Sequence, residues 1–218
     1  MKLQWLGHSC FLIESSEGVR VITDPYKAGA FGGALSLGKI HDRADVVTVS
    51  HEHDDHNAVG QVPGNPLIMR ASGSAKGVDF HVLDVFHDTT QGSERGRNRI
   101  FQFAIDGIGI VHYGDLGHDL SASQTAHLRG WSADVLLIPV GGFYTIDAAA
   151  ADRLSDALAP SIVIPMHVKH AKVNFPIAPV EEFLKRRKQV KRVGSSCVEI
   201  TSDSLPATSE TWVLEPAM

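Results

Sequence analysis

The stretch Val46-Val47-Thr48-Val49-Ser50-His51-Glu52-His53-Asp54-Asp55-His56 decides how this chain is read. From Asp45 to Ser50 it is a continuous apolar strand, and from His51 onward it is a loop carrying four potential metal ligands. His51 and His53 lie two apart and can point the same way, while Asp55 and His56 follow one turn later, where a short helix can begin. Imidazole and carboxylate together suit zinc, manganese or iron. The loop leaves the carboxyl end of a strand, which is where ligand sites of α/β proteins gather. Glu52 and Asp54 alternate away from the ligand side and are expected to stabilise the loop.

The pattern around this stretch is that of an α/β protein. Upstream, Leu3–Leu6, Cys10–Ile13 and Val19–Ile22 read as short strands, followed by a Gly-rich loop from Lys27 to Lys39. A loop of that length in a compact domain is often functional, for example as a lid. Downstream, Leu67–Met69, Val78–Phe86, Ile100–Ile105 and Ile108–His112 read as strands, and Asp106-Gly107 between the last two is a hairpin signal. In the second half, helices over Ser121–Arg129, Ala148–Leu158 and Pro179–Lys188 alternate with strands Val135–Val140 and Ile162–Pro165. Asp147 is the expected N-cap of the second helix, with Pro160 ending it. Val198–Thr201 is a late strand, and the last residues read as a weakly specified tail. Two sheets with helices outside is the layered form expected, as one domain over residues 1–218.

Composition bounds the function. With 43% hydrophobic and 21% charged residues the chain reads as an ordinary soluble globular protein. A net charge of -5 argues against nucleic acid as partner. The basic run Lys185-Arg186-Arg187-Lys188, with Lys191 and Arg192, reads as a solvated helix face, the other reading being a phosphate contact. Two cysteines, Cys10 and Cys197, make no disulfide framework. No signal peptide and no membrane-length apolar run is evident, so a cytoplasmic protein without a membrane partner is expected.

Further His and Asp residues stand just past other apolar runs: Phe86-His87-Asp88, His112-Tyr113-Gly114-Asp115 and Ile164-Pro165-Met166-His167. With Asp24 at the end of an early strand and His51-x-His53-x-Asp55-His56, they occur in an order that resembles the metallo-β-lactamase superfamily of hydrolases over Trp5 to about Leu184. More narrowly, the chain is similar to the branch of zinc-dependent hydrolases that includes the ascorbate-6-phosphate lactonases. That similarity rests on Gly7-His8-Ser9, Arg95-Gly96-Arg97-Asn98, Leu116-Gly117-His118 and Pro139-Val140-Gly141-Gly142, besides the phrases above. The lactonase itself matches more loosely, and its substrate is not carried over.

The resemblance implies a four-layer αββα sandwich and two divalent metal ions, zinc being expected, with manganese and iron as alternatives. It implies that His51, His53 and His87 hold the first ion, that Asp55, His56 and His167 hold the second, and that Asp115 bridges them. Asp24 is implied to order the metal loop from outside the ligand set. The implied chemistry is attack of a metal-bound hydroxide on a carbonyl or phosphoryl centre, with Asp55 also accepting a hydrogen bond from the water.

Other residues carry two readings each. His118 either faces the cavity as a proton donor or makes a structural hydrogen bond, and His8 is placed in the same way. Arg95, Arg97 and Asn98 either reach the cleft, where arginine suits an anionic group, or form a hairpin tip. The junction Gly141–Asp147 either offers backbone N–H groups to an anion or is a turn with a cap. The functional expectation is a hydrolase acting on an ester, lactone or phosphodiester of a small, anionic substrate. The alternatives are redox chemistry at a di-iron centre, or a metal-binding protein without catalysis. A symmetric homo-oligomer is compatible with an enzyme of this size.

Overall fold

The structure, a computed structural model, describes residues 1–217. The chain runs through β1 (Lys2–Gly7), β2 (Cys10–Glu14), β3 (Arg20–Thr23), β4 (Val46–Thr48) and β5 (Leu67–Met69). It continues through β6 (Gly73–Ala75), β7 (Val78–Phe86), β8 (Arg97–Ile105) and β9 (Ile108–His112). The second half holds α1 (Ala122–Arg129), β10 (Val135–Pro139), α2 (Ala148–Leu158), β11 (Ile162–Met166), α3 (Glu181–Leu184), β12 (Val190–Arg192), β13 (Cys197–Glu199) and β14 (Glu210–Val213). Two mixed sheets result, in the orders β13-β1-β2-β3-β4-β5 and β12-β14-β11-β10-β9-β8-β7-β6.

The central strands β2, β3 and β4 of the first sheet are buried on both faces and are apolar at nearly every position. Successive side chains alternate between two cores. Trp5, Phe11, Ile13, Val21 and Val46 meet the second sheet. Leu6, Leu12, Ile22, Val47 and Val49 point outward beneath Tyr26, Leu35, Leu37 and Phe175. The α/β fold is as expected, with a refinement of its layers. Helix α2 packs on β10 of the second sheet, and α1 and α3 each pack against α2. The outer face of the first sheet is covered by the loop after β3, single 3-10 turns at Phe31–Gly33 and Val59–Gln61, and residues 173–177.

Several local expectations hold. Asp106 and Gly107 both adopt positive φ (52° and 76°), the geometry of a two-residue hairpin turn between β8 and β9. Asp147 caps α2 by accepting from the Ala150 N–H at 2.8 Å. Two expectations fail. The helix over 179–188 is only the short α3, because Arg187 turns back to pair with Asp152 and Asp156 and the chain from Val190 enters the sheet. The tail is not weakly specified: β14 inserts parallel between β11 and β12, with Trp212 buried. The basic run is taken up locally: Arg187 is ion-paired and Lys191 lies over the Trp212 ring at 4.1 Å.

Strand direction positions the site. In the first sheet β1, β3 and β4 run the same way, since β1 and β3 are each antiparallel to β2 and β3 is parallel to β4. In the second, β7, β9 and β11 share a direction by the same logic. The segments carrying His8, Asp24, His51–His56, His87, Asp115 and His167 all follow the carboxyl ends of these six strands.

Candidate metal centre

Each site residue is delivered by a turn. His8 (φ 53°), Asp24 (φ 38°) and His167 (φ 53°) sit in the left-handed region just past β1, β3 and β11, which bends the chain sharply and aims the side chain across the sheet edge. The His167 N–H donates to the His8 carbonyl at 3.3 Å, joining the two sheets at this edge. After β9, Gly114 (φ 53°) is required: a Cβ there would collide with Asn98 and Ser50. Gly117 is required for space, since a Cβ would strike the His87 backbone.

The side chains gather in two groups around one carboxylate. His51, His53 and His87 each bring a ring nitrogen to within 4.8 Å of the others, and so do the ligand atoms of His8, Asp55, His56 and His167. Asp115 lies between the groups. Its Oδ2 is 3.2 Å from His56 Nε2, 3.3 Å from both His87 Nε2 and His167 Nε2, and 4.0 Å from His51 Nε2. All of these residues are buried except His53, which is exposed; His53, Asp55, His87, Asp115 and His167 line an open cleft, with His8, His51 and His56 packed behind them.

The donor set fits cations. His51 Nε2, His56 Nε2 and Asp115 Oδ1 are buried without a hydrogen-bond partner, a costly state for a polar atom unless a ligand meets it. Burial, with His56 alongside, holds His51 well below the ordinary imidazole range, and burial lowers His87 too, so both are neutral and able to ligate. Burial would raise the Asp115 carboxyl, yet His167 and His56 hold it well below its usual range. Burial would lower His56, but the Asp115 and Asp55 carboxylates outweigh it and raise it well above. A cation entering here takes over the role of that proton.

Asp24 organises the loop as expected. It is fully buried, accepts the Ser50 N–H at 2.7 Å through Oδ1, and accepts both the Ser50 hydroxyl and His56 Nδ1 (2.8 Å) through Oδ2. Burial would raise its carboxyl, but His112 and His56 hold it low, so it stays an acceptor. Glu52 and Asp54 face away, bonded to Arg70 and Lys27.

For several surrounding residues the structure selects the structural one of the two readings. His118 does not face the cleft: its Nδ1 donates to the Asp119 carbonyl at 2.8 Å and its Nε2 accepts the Phe86 N–H at 3.2 Å, so both nitrogens are spent on backbone. Asn98 is fully buried, donating to the Tyr113 carbonyl (2.8 Å) and accepting the Asp115 N–H (2.9 Å), and so braces the central carboxylate's turn. Arg97 points to solvent. Position in β8 explains both, since neighbouring residues face opposite sides of a strand. In the 141–147 junction the Gly142 and Tyr144 N–H groups bond within the turn and the Ile146 N–H donates to the Leu116 carbonyl, as in a turn leading to a cap.

Arg95 takes the cleft-facing place expected of it, whereas His8, a candidate substrate contact, does not reach the cleft. His8 is fully buried beneath it, with Nε2 3.1 Å from Asp55 Oδ2, and burial beside His167 pushes its imidazole down to about 4. Sequence reasoning missed Asp88, whose buried carboxylate accepts the N–H groups of Thr90, Gly92, Glu94 and Arg95 and so folds the loop that carries Arg95. It also missed Phe31, Tyr144 and Phe175 as cleft walls. The signals available were a Phe within a Gly-rich loop and an aromatic pair after Gly141-Gly142; nothing near Phe175 marked it.

Comparison with known proteins places this arrangement. Residues 2–167 match the family model described as beta-lactamase superfamily domain. A UPF0173 metal-dependent hydrolase of Archaeoglobus fulgidus is 29% identical over 227 residues, covering 89% of this chain and 92% of that protein. The crystal structure of a candidate Zn-dependent hydrolase of the metallo-β-lactamase superfamily from Thermotoga maritima superposes with a TM-score of 0.78 at 34% identity, covering 98% of each chain. The di-iron β-hydroxylase CmlA of Streptomyces venezuelae shares the fold alone, with a TM-score of 0.55 at 15% identity over 76% of this chain and 44% of that one. The chain belongs to the metallo-β-lactamase superfamily, in its branch of metal-dependent hydrolases.

Proposed function

We propose that this protein is a dinuclear metal-dependent hydrolase acting on an ester, lactone or phosphodiester of a small, anionic substrate, with residues 1–218 acting as one domain. The observation that carries this reading is the position of Asp115 Oδ2, within 3.2–4.0 Å of imidazoles from both ligand groups. One carboxylate among four imidazoles suits a bridge that offsets repulsion between two cations.

His51, His53 and His87 would hold one cation, and Asp55, His56 and His167 the other, with Asp115 shared. Two bound divalent cations, zinc by preference, supply a nucleophile at neutral pH and polarise the oxygen of the scissile group. The chain's own groups do the rest. Asp55 accepts the hydrogen bond of the attacking water and keeps it aimed at the substrate. His8 donates to Asp55 Oδ2 at 3.1 Å and fixes that carboxylate's rotation. Asp24, by accepting from His56 Nδ1, fixes the ring so that Nε2 faces the Asp115 carboxylate. Arg95 at the wall meets the substrate's negative charge.

Hydrolysis is favoured over redox chemistry by the identity to metal-dependent hydrolases along most of the chain, whereas the di-iron relative shares only the fold. The test is elemental analysis with turnover assays on generic esters and phosphodiesters. Close to two zinc or manganese ions per chain and loss of turnover in Asp55→Ala, with the fold retained, are expected. Iron with a visible charge-transfer band, or an Asp55→Ala variant as active as wild type, would overturn the reading.

A further inference from the structure

The walls of the cleft say more about its occupant than the floor does. Phe31, Tyr144 and Phe175 line it on one side. Phe31 meets Phe175 edge to face at 5.5 Å, and Tyr144 meets the same ring at 6.0 Å, so three chain segments build one aromatic surface. Phe31 remains 55% exposed, and Phe143, stacked edge-on against Tyr144 at 4.7 Å, is 64% exposed. Both hold positive φ, 54° and 61°, an uncommon conformation for a bulky side chain. Apolar rings held in solvent on strained backbone mark a surface whose partner arrives from outside.

Arg95 stands at the end of this surface, its guanidinium 5.7 Å from the Tyr144 ring centroid. Its nearest acid is the exposed Glu94 at 3.7 Å, a surface pair that leaves the guanidinium fork available. The fork accepts planar anionic oxygens in a way lysine does not. The cleft encloses only ≈ 230 Å³, so the occupant is small.

We infer that the substrate is a small aromatic compound with an anionic group, carboxylate or phosphate, at the end of the ring system remote from the scissile bond. The ring lies on Phe31, Tyr144 and Phe175, the anion reaches Arg95, and the hydrolysable group meets the metal centre. This rests on the hydrolase reading, but its ring and anion contacts can be measured without turnover.

The experiment is equilibrium binding of product-like acids to metal-loaded protein, using terephthalate, 4-phosphonobenzoate, benzoate and succinate. Terephthalate or the phosphonate should bind about tenfold tighter than benzoate, the scale of a charge-assisted hydrogen bond, and which of the two wins identifies the anion. Both should bind about tenfold tighter than succinate, which has two carboxylates and no ring. In a double-mutant cycle, Arg95→Gln should remove the advantage over benzoate, and Phe31→Ala the advantage over succinate. Equal binding of all four acids, or advantages that survive both substitutions, would overturn the inference. Hydrolysis of the corresponding methyl esters is scored separately. Selective binding without ester turnover would count against the hydrolase reading and leave the cleft's selectivity standing, and unselective turnover would do the reverse.

Discussion

His56 and Asp24 form a buried pair in which Nδ1 donates to the carboxylate at 2.8 Å and Nε2 is left facing Asp115 at 3.2 Å. The same carboxylate holds Ser50 N–H, so its orientation is not free. Asp24→Asn should therefore act through a tautomer. Oδ1 must still accept from Ser50, which puts the amide NH2 against His56 Nδ1. That nitrogen must then accept, and the proton moves to Nε2, where it blocks ligation. Metal affinity should fall about 10–100-fold. Titration with zinc against a competing chelator measures it, and an affinity within threefold of wild type would sink the account.

Metal removal should destabilise the protein. Ligands that bind only the folded state add stability by mass action, about 4 kcal/mol when free metal is a thousand times the dissociation constant. Without cations, buried unpartnered atoms such as His51 Nε2 and Asp115 Oδ1 remain. Thermal melts with and without EDTA should separate by several degrees, and zinc or manganese should restore the higher value. Coincident melts would mean the cluster does not bind metal in the folded protein.

Gly117→Ala should be costly although the residue ligates nothing. Its Cβ would meet the His87 backbone, while its N–H is tied to the Phe86 carbonyl at 3.0 Å. Overpacking of this kind costs about 1–3 kcal/mol. The strain falls on His87, so metal content should drop along with the denaturant midpoint. A stable variant with full metal content would show that the loop yields more easily than its contacts imply.

His118→Gln should retain kcat within about threefold. Both ring nitrogens of His118 serve backbone partners, so the loss should appear as roughly 1 kcal/mol of stability. A hundredfold fall in kcat with an unchanged melting temperature would restore it as a proton donor.

Asp88→Ala should loosen the Arg95 loop. Four backbone N–H groups lose their common acceptor, and Arg95 with its loop becomes mobile. For an anionic substrate KM should rise about tenfold with kcat less affected, while hydrogen exchange over residues 90–95 accelerates. Unchanged exchange in that segment would contradict the role.

What could be read in advance follows from local physics. His51, His53, Asp55 and His56 share one short loop, so their convergence is set by spacing along the chain. The alternation of Trp5 and Leu6, or Val46 and Val47, between two cores is written in continuous apolar runs. The hairpin at Asp106-Gly107 and the cap at Asp147 need only neighbouring residues. Strand β14 gave no such signal. Glu210–Val213 is short and mixed, and becomes a strand only because β11 and β12 present open edges on either side.

By itself the sequence determined the ligand-bearing segments, the strand ends that carry them and the family they resemble, because each depends on contacts within a few residues. Only the tertiary structure decided which neighbours serve the site. His118 and Asn98 spend their polar atoms on backbone, Arg95 reaches the cleft on a loop folded around Asp88, and Phe31, Tyr144 and Phe175 meet from three distant segments. The reason is that a side chain's role depends on which partners satisfy it. Asp88 and Asp119 are near neighbours of the residues they hold, but the other partners, such as Tyr113 for Asn98, Phe86 for His118 and Phe175 for Phe31, lie far off in the chain, where periodicity and spacing carry no information.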